Sequence, residues 1–184
     1  MRLHRRPRDP VWPERTSNPV TARSSAADPA PTTVLPIPGP GGLLAVYGTL
    51  MTGLSPDHQP AVGEWLELVG PVSIPGRLYE VHGGVFRYPA LSLERLDPPT
   101  GAHQAARPPM VHGELFRVLD PVLFDVLDRW EGYDPTAPAT SPYFRRLVRM
   151  LRPSVDAWVY VGNHSDRTDW IPGGDWRAHV EATA

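Results

Sequence analysis

The chain has 184 residues, 41% of them hydrophobic, which suits one domain with a buried core. A formal charge of -2 gives no general attraction to nucleic acid or anionic membranes, so neither is an expected partner. All 18 basic residues are arginine, so a lysine Schiff base is excluded. Cysteine is absent, which excludes disulfides, thiolate nucleophiles and Cys-ligated zinc. No apolar run approaches the roughly 18 residues of a membrane span, and no signal-peptide core is visible. We therefore expect a cytoplasmic protein whose chemistry uses oxygen or nitrogen groups.

The first 42 residues differ in composition from the rest. They are rich in Arg, then in Pro, Ala, Thr and Ser, and they end in a Pro/Gly run at 36–42. Such a segment cannot bury enough apolar surface to offset its chain entropy. We predict a disordered leader over 1–42 and a folded domain over 43–184. Arginines near the start allow a weak nucleic-acid or targeting handle, although a solvated tail is favoured.

The remaining sequence indicates a β-rich domain. Apolar runs bounded by turn residues predict six strands, at 43–47, 72–81, 85–93, 111–118, 143–151 and 155–161. Helices are expected only near 60–66 and over 120–132, and the Pro-rich stretch 98–109 reads as a mobile loop. Many strands with few helices favour an α+β domain with a closed or nearly closed sheet and a helix packed against it.

The second helix carries an unusual carboxylate. Asp120 suits the N-cap, Pro121 the first turn and Gly132 the C-terminal stop. At about 100° per residue, Glu131 falls inside the apolar arc of this helix, between Leu127 and Phe124. An apolar setting and the negative end of the helix dipole both disfavour ionisation, which would make this carboxylate basic enough for proton transfer. The alternative is an exposed residue at a frayed helix end.

A small-residue turn follows the first strand. In the run from Val46 to Met51, a turn with exposed backbone N–H groups can bind an anion or a developing oxyanion, although ordinary tight turns look alike. The seven histidines lack metal-ligand spacing, and no serine-hydrolase elbow, zincin motif or dinucleotide fingerprint occurs. No metal or cofactor is therefore expected.

Six short motifs occur in an order that resembles the gamma-glutamylcyclotransferase-like family, which includes gamma-glutamylamine cyclotransferases and plant avirulence-induced proteins. The motifs are Tyr-Gly-Thr-Leu-Met at 47–51, Pro-Gly-Arg-Leu-Tyr at 75–79, Tyr-Pro-Ala-Leu at 88–91, His-Gly-Glu-Leu-Phe at 112–116, Leu-Asp-Arg-Trp-Glu-Gly-Tyr at 127–133 and Tyr-Phe-Arg-Arg-Leu-Val at 143–148. The segments 157–160 and 174–176 also look like the last strand and tail of the family. The resemblance covers about 43–177.

The resemblance implies a small mixed β-barrel with flanking helices and release of 5-oxoproline from a gamma-glutamyl amine or amino acid. The α-amino group of the substrate would attack its own γ-carbonyl, and Glu131 would be the general base and acid. The glutamyl-binding residues that it implies are Tyr47, Gly48, Thr49, Leu50 and Tyr143. Because nucleophile and electrophile belong to one molecule, the reaction requires no covalent enzyme intermediate, metal or cofactor.

Several interpretations stay open. Tyr47 and Tyr143 also suit core aromatics with satisfied hydroxyls. Glu114 is expected to be exposed on its strand, with the cavity as the alternative, and Arg145 is expected to pair with Asp128 and not with a substrate carboxylate. The turn amides at 48–50 can hold either the substrate carboxylate or the oxyanion. The leaving group would be recognised by the stretches 52–62, 98–110 and 135–142.

Two functions of other classes compete with the enzyme. The fold alone does not guarantee chemistry, so the domain also suits a non-catalytic ligand-binding module. The leader could alternatively recruit a partner protein. An enzyme should keep its turnover when residues 1–40 are deleted, whereas a recruiter should lose its binding.

Overall fold

The structure is a computed structural model, and it describes residues 39, 41–54, 60–83, 86–93, 109–163 and 169–183. Within these segments the domain is α+β. Its strands are β1 Leu43–Val46, β2 Leu66–Pro75, β3 Arg77–Gly83, β4 Phe86–Ser92, β5 Met110–Val118, β6 Tyr143–Arg149, β7 Asp156–Gly162 and β8 Asp169–Ile171. Its helices are α1 Leu123–Glu131 and α2 Trp176–Thr183, with 3-10 turns at Gly63–Trp65 and Pro138–Thr140.

The strands form two sheets. The larger sheet has the order β2-β5-β1-β7-β6, and the smaller has the order β4-β3-β8. Within the larger sheet β1 pairs antiparallel with β5 and parallel with β7, so it lies at the centre. This central position explains why β1 is an unbroken apolar run in the sequence, because Leu44, Ala45 and Val46 are all buried.

The closed barrel expected from the sequence is not observed. Neither sheet is closed among the described residues, and one isolated bridge, between Ser73 and Arg152, links β2 to the chain beyond β6. The chain instead changes sheets at Gly76, where the predicted single strand 72–81 divides into β2 and β3. Gly76 has a φ of 136°, and a Cβ there would overlap the carbonyl oxygen of Ser92. Only glycine can make this crossing without strain.

The other predicted strands are confirmed within about two residues of their expected ends. The predicted helix near 60–66 is wrong, because this stretch forms one 3-10 turn and then enters β2. The sequence interpretation also missed β8 and α2. The leader lies outside the described residues except near its end, where Gly41 and Gly42 exchange backbone hydrogen bonds with Val118. The part of the mobile-loop prediction that covers 98–108 lies outside them as well.

The core places α1 against the larger sheet. Leu123, Phe124 and Leu127 of α1 are fully buried, and the helix packs against β6. Burying each such side chain stabilises the fold by about 1.5–3 kcal/mol, which fixes the orientation of the helix. No helix within the described segments has the length and apolar character needed to cross a membrane.

Candidate active site

The C-terminal end of α1 is fixed and not frayed. Gly132 follows Glu131 with a φ of 66°, and its N–H and that of Tyr133 bond to the carbonyl oxygens of Arg129 and Asp128. This arrangement closes the last turn of the helix. A Cβ at Gly132 would lie 2.8 Å from the Cγ of Pro142, so the helix end is also packed. The backbone therefore holds Glu131 in one place.

The Glu131 carboxyl group is desolvated and unpaired. Its side chain is half-buried, and among the described residues it has no hydrogen bond and no ion pair. Burial first, and the nearby charge of Asp128 second, raise its pKa from the usual 4.5 to about 8. A carboxyl group in this state can exchange protons near neutral pH.

Asp128 and Arg145 form a charge pair beside Glu131. The Arg145 side chain is 3% exposed, and its Nη2 lies 3.3 Å from Oδ2 of Asp128, which confirms the expected structural ion pair. The hydroxyl of Tyr160 also donates to Oδ1 of Asp128, at 2.6 Å. The periodicity of α1 placed Asp128 outside the apolar arc, yet it is half-buried because Arg145 reaches it from β6. Arg145 favours the ionised form of Asp128, whose negative charge acts on Glu131.

Arg145 itself is enclosed by aromatic rings. Its guanidinium carbon lies 4.8 Å from the ring centre of Phe124 and 5.6 Å from those of Tyr133 and Trp158. Its Nε and Nη1 are buried without a hydrogen-bond partner among the described residues. The ring faces attract the guanidinium group in place of the hydrogen bonds that Nε and Nη1 lack. The arginine is thereby fixed in the core and not directed at a substrate.

Tyr47 and Tyr143 lie close to Glu131. Burial is the main cause that raises the pKa of each tyrosine, and the charge of Glu131 raises both further. Tyr143 and Tyr47 also interact with each other, and the Tyr143 ring lies 6.4 Å from that of Tyr88. The structure thus brings together a carboxyl group and aromatic rings from α1, from the end of β1 and from β6.

The hydroxyl groups of these tyrosines bind backbone groups of β4, an end strand of the smaller sheet, and of β7. The Tyr47 hydroxyl donates to the carbonyl oxygen of Tyr160 at 2.8 Å and accepts from the N–H of Leu91 at 3.1 Å. The Tyr143 hydroxyl donates to the carbonyl oxygen of Pro89 at 2.8 Å. Both hydroxyls are therefore satisfied by backbone groups, and the two tyrosines lie beside Glu131.

The turn after β1 has backbone N–H groups without an acceptor among the described residues. The N–H of Met51 bonds to the carbonyl oxygen of Gly48, whereas the N–H groups of Gly48, Thr49 and Leu50 have no acceptor among the described residues. Gly48 is buried, and a Cβ on it would lie 2.5 Å from the Cγ of Pro89. Unpaired backbone N–H groups in a turn that directly follows Tyr47 are suited to hold an anionic group of a ligand.

Glu114 is not the exposed strand residue that the sequence suggested. Its side chain is 19% exposed, and it bonds to Thr52 and to Arg177 of α2. Sequence reasoning missed Arg177 because α2 carries no clear periodic signal. It also missed the contact of Tyr160 with Asp128, although Tyr160 lies in the segment 157–160 that resembles the last strand of the family. No group of three or more His, Asp or Glu among the described residues is arranged to hold a metal ion.

Comparisons with known proteins identify the family of the chain. The family model for gamma-glutamyl cyclotransferase, AIG2-like, matches residues 44–178. Among solved structures, an AIG2-like protein from Mus musculus has 20% identity and a TM-score of 0.50, covering 74% of this chain and 88% of that one. Kluyveromyces lactis allophanate hydrolase has 15% identity and a TM-score of 0.51, covering 78% of this chain and only 22% of the hydrolase.

A third solved structure, an uncharacterized protein from Pyrococcus horikoshii, has 18% identity and a TM-score of 0.48, covering 77% of this chain and 96% of that one. No curated protein sequence matches the chain significantly. At these identities the mouse protein and the hydrolase show a shared fold and nothing more. The family model extends from β1 to the start of α2 and includes every part of the site described above, and the chain belongs to the gamma-glutamyl cyclotransferase, AIG2-like family.

Proposed function

We propose that this protein releases 5-oxoproline from a gamma-glutamyl amine or gamma-glutamyl amino acid. Family membership supports a cyclotransferase-type function, and the reaction itself and the role of each residue are our proposal. Glu131 serves as general base and then as general acid. Tyr47, Gly48, Thr49, Leu50 and Tyr143 form the surface that receives the glutamyl group.

The observation that carries the proposal is the state of Glu131. A structural carboxylate is normally ionised and paired, whereas this one is desolvated, unpaired among the described residues and has a pKa near 8. The α-amino group of a substrate also titrates near pH 8, so a proton can pass between the two groups at little cost. A non-catalytic binding site would gain nothing from keeping such a group unpaired.

The reaction proceeds by proton transfer and one exchange of carbon–nitrogen bonds. Glu131, as the carboxylate, takes a proton from the α-ammonium group of the bound substrate. The freed nitrogen attacks the γ-carbonyl carbon and closes a five-membered ring, and the carbonyl oxygen becomes an oxyanion. Glu131 then gives its proton to the leaving nitrogen as the oxyanion re-forms the carbonyl and the original amide bond breaks. The regenerated carboxylate takes the second proton from the ring nitrogen and passes it to the departing amine. Overall the α-nitrogen loses two protons, and the departing amine gains two and leaves as an ammonium ion.

The turn amides supply binding and charge stabilisation. Gly48, Thr49 and Leu50 present N–H groups that can hold the substrate carboxylate or the oxyanion, and a preorganised donor is worth about 2.7–4 kcal/mol in acyl transfer. Burial keeps the pKa of Glu131 high, and Tyr47 and Tyr143 lie beside it. Ring closure within one molecule contributes much of the acceleration, because the reacting atoms need not be brought together from solution.

The experiment is a turnover assay with matched variants. The full chain is incubated with a panel of gamma-glutamyl amines and gamma-glutamyl dipeptides, and 5-oxoproline is measured by chromatography. Glu131→Gln should lower kcat by about 100-fold or more, because general acid–base catalysis contributes about that much. Glu64→Gln, which changes an exposed carboxylate in the 3-10 turn, should leave kcat unchanged.

The pH profile gives an independent readout. Since the base must be deprotonated and the substrate amine protonated, kcat/KM should rise along an acid limb that ends near pH 8 and should fall at higher pH, as the free substrate loses its α-ammonium proton. The absence of turnover across the panel would reject the proposal, as would full activity of Glu131→Gln. A profile that levels off near pH 4.5 would show that Glu131 has an ordinary pKa and that this mechanism is wrong.

A further inference from the structure

The segment that follows the turn is bound by a side chain of β5. Oε2 of Glu114 accepts the N–H of Thr52 at 2.7 Å and the hydroxyl of Thr52 at 2.9 Å. Glu114 pairs with Val46 in the sheet, so its carboxylate lies beside the point at which β1 leads into the turn. Hydrogen bonds to a carboxylate are roughly twice as strong as neutral ones. The polypeptide therefore leaves the turn in a direction set by Glu114.

A residue of the C-terminal helix completes this connection. Nη2 of Arg177 donates to the carbonyl oxygen of Thr52 at 2.8 Å and to Oε1 of Glu114 at 3.1 Å. Both backbone groups of Thr52 are thus bound by charged side chains, one from β5 and one from α2. The next residue, Gly53, has a φ of 78°, and a Cβ there would lie 3.6 Å from Nη1 of Arg177. We call Glu114, Thr52 and Arg177 the turn clamp.

The helix that carries Arg177 is itself anchored on both sides. Trp176 is 4% exposed, and the imidazole of His179 bonds to the buried carboxylate of Glu80 on β3. The side chain of Asp175 accepts the N–H of Ala178 at 3.1 Å and caps the first turn of the helix. These anchors hold the helix backbone beside the turn, so the Arg177 side chain, which is 38% exposed, reaches Thr52 and Glu114 together.

We propose that Arg177 and Glu114 are positioning residues that hold the Tyr47 to Leu50 turn in the conformation that receives the glutamyl group. This inference rests on the function proposed above. Without the clamp the turn would sample other conformations, and substrate binding would have to order it again. The unpaired amides of the turn are useful for binding or charge stabilisation only when they keep a fixed direction.

A purely structural ion pair would behave differently. Exposed ion pairs contribute about 0.2–1 kcal/mol to stability, and their loss leaves kinetics unchanged. The chain offers a matched comparison, because Arg117 of β5 pairs with Glu67 at 2.9 Å, with half or more of each side chain exposed, and binds no part of the turn. Truncating Arg117 removes a charge and an ion pair without touching the clamp.

The test compares Arg177→Ala, Arg177→Lys and Arg117→Ala with the wild-type chain, using a gamma-glutamyl compound that the wild type turns over. Arg177→Ala should lower kcat/KM by about tenfold, since it removes two hydrogen bonds that involve a charged group. Arg117→Ala should match the wild type, and Arg177→Lys should recover part of the loss. The acid limb of the pH profile should stay in place in all of them, because Glu131 is unchanged.

Hydrogen exchange measured by mass spectrometry reports the clamp directly. Amides of Thr52 to Leu54 should exchange faster in Arg177→Ala than in Arg117→Ala. If the wild type is active but Arg177→Ala and Arg117→Ala have equal kcat/KM, the positioning role is wrong while the proposed function stands. If the wild type turns over no substrate, the proposed function has failed instead. A shifted acid limb in Arg177→Ala would also reject the inference, since Arg177 would then act through Glu131.

Discussion

The buried state of Glu131 predicts how the stability of the protein depends on pH. Folding raises the pKa of this carboxyl group from 4.5 to about 8, so the folded chain keeps a proton that the unfolded chain releases. The stabilising contribution of the neutral carboxyl is fully present below pH 4.5 and is lost as the pH rises through 8. Gln resembles the protonated group and cannot ionise. The free energy of unfolding of the wild type should therefore fall, relative to that of Glu131→Gln, between about pH 4.5 and pH 8.

The size of the effect follows from the two pKa values. At about 1.4 kcal/mol per pKa unit, the rise from 4.5 to about 8 corresponds to an upper limit near 5 kcal/mol. Because the side chain is half-buried and keeps some contact with solvent, we expect a measured change of about 2–5 kcal/mol. This is a large fraction of the 5–15 kcal/mol by which domains are usually stable, so it is well within reach of measurement.

The assay is urea unfolding of the wild type, Glu131→Gln and Glu64→Gln at several pH values between 4 and 9. The shared titration of other groups cancels when each variant is compared with the wild type at one pH. For Glu64→Gln, an exposed site, that difference should stay nearly constant. A Glu131→Gln difference that varies by less than about 0.5 kcal/mol over this range would refute a raised pKa, and with it the reasoning from burial.

Two further substitutions test the surroundings of Glu131 and the turn. Asp128→Asn removes the negative charge that is the second cause of the raised pKa, so the acid limb of the kcat/KM profile should move to lower pH, and an unmoved limb would contradict this. Gly48→Ala places a Cβ 2.5 Å from the Cγ of Pro89, and it should lower the free energy of unfolding by about 1–3 kcal/mol and displace the turn, which would reduce kcat/KM. Gly63→Ala is the control, because a Cβ there meets no heavy atom within 4 Å. If the two alanine variants have equal urea midpoints and equal turnover, the turn is not tightly held.

Most of the strands and the helix that carries Glu131 could be predicted because they depend on local patterns. The run from Leu43 to Val46 and the sequence around Leu127 carry strong periodic or continuous apolar signals, and the structure confirms a strand and a helix there. The break at Gly76 could not be predicted, because a glycine in an apolar run is also compatible with a continuous strand. Because Gly76 has no Cβ, its backbone can lie close to Ser92, but this contact exists only after the two sheets have formed.

Helix α2 shows a different limit. The segment from Trp176 to Thr183 is short and has no continuous apolar face, so its sequence gives little helical signal. Its conformation is stabilised by contacts with residues far away in the chain, such as that of His179 with Glu80. Arg177 could therefore not be recognised as a partner of the turn, and Glu114 was interpreted as a solvated strand residue.

The sequence by itself predicted an α+β fold and a carboxylate on the apolar side of a helix that ends at Gly132, and it named this carboxylate as the candidate acid and base. The tertiary structure decided which charges surround it: Asp128 with its buried partner Arg145 beside Glu131, and Glu114 with Arg177 behind the turn. The reason is physical. Periodicity within one element fixes which side of that element a residue occupies, whereas the pKa of a carboxyl group and the rigidity of a turn depend on side chains that other elements bring within a few ångströms.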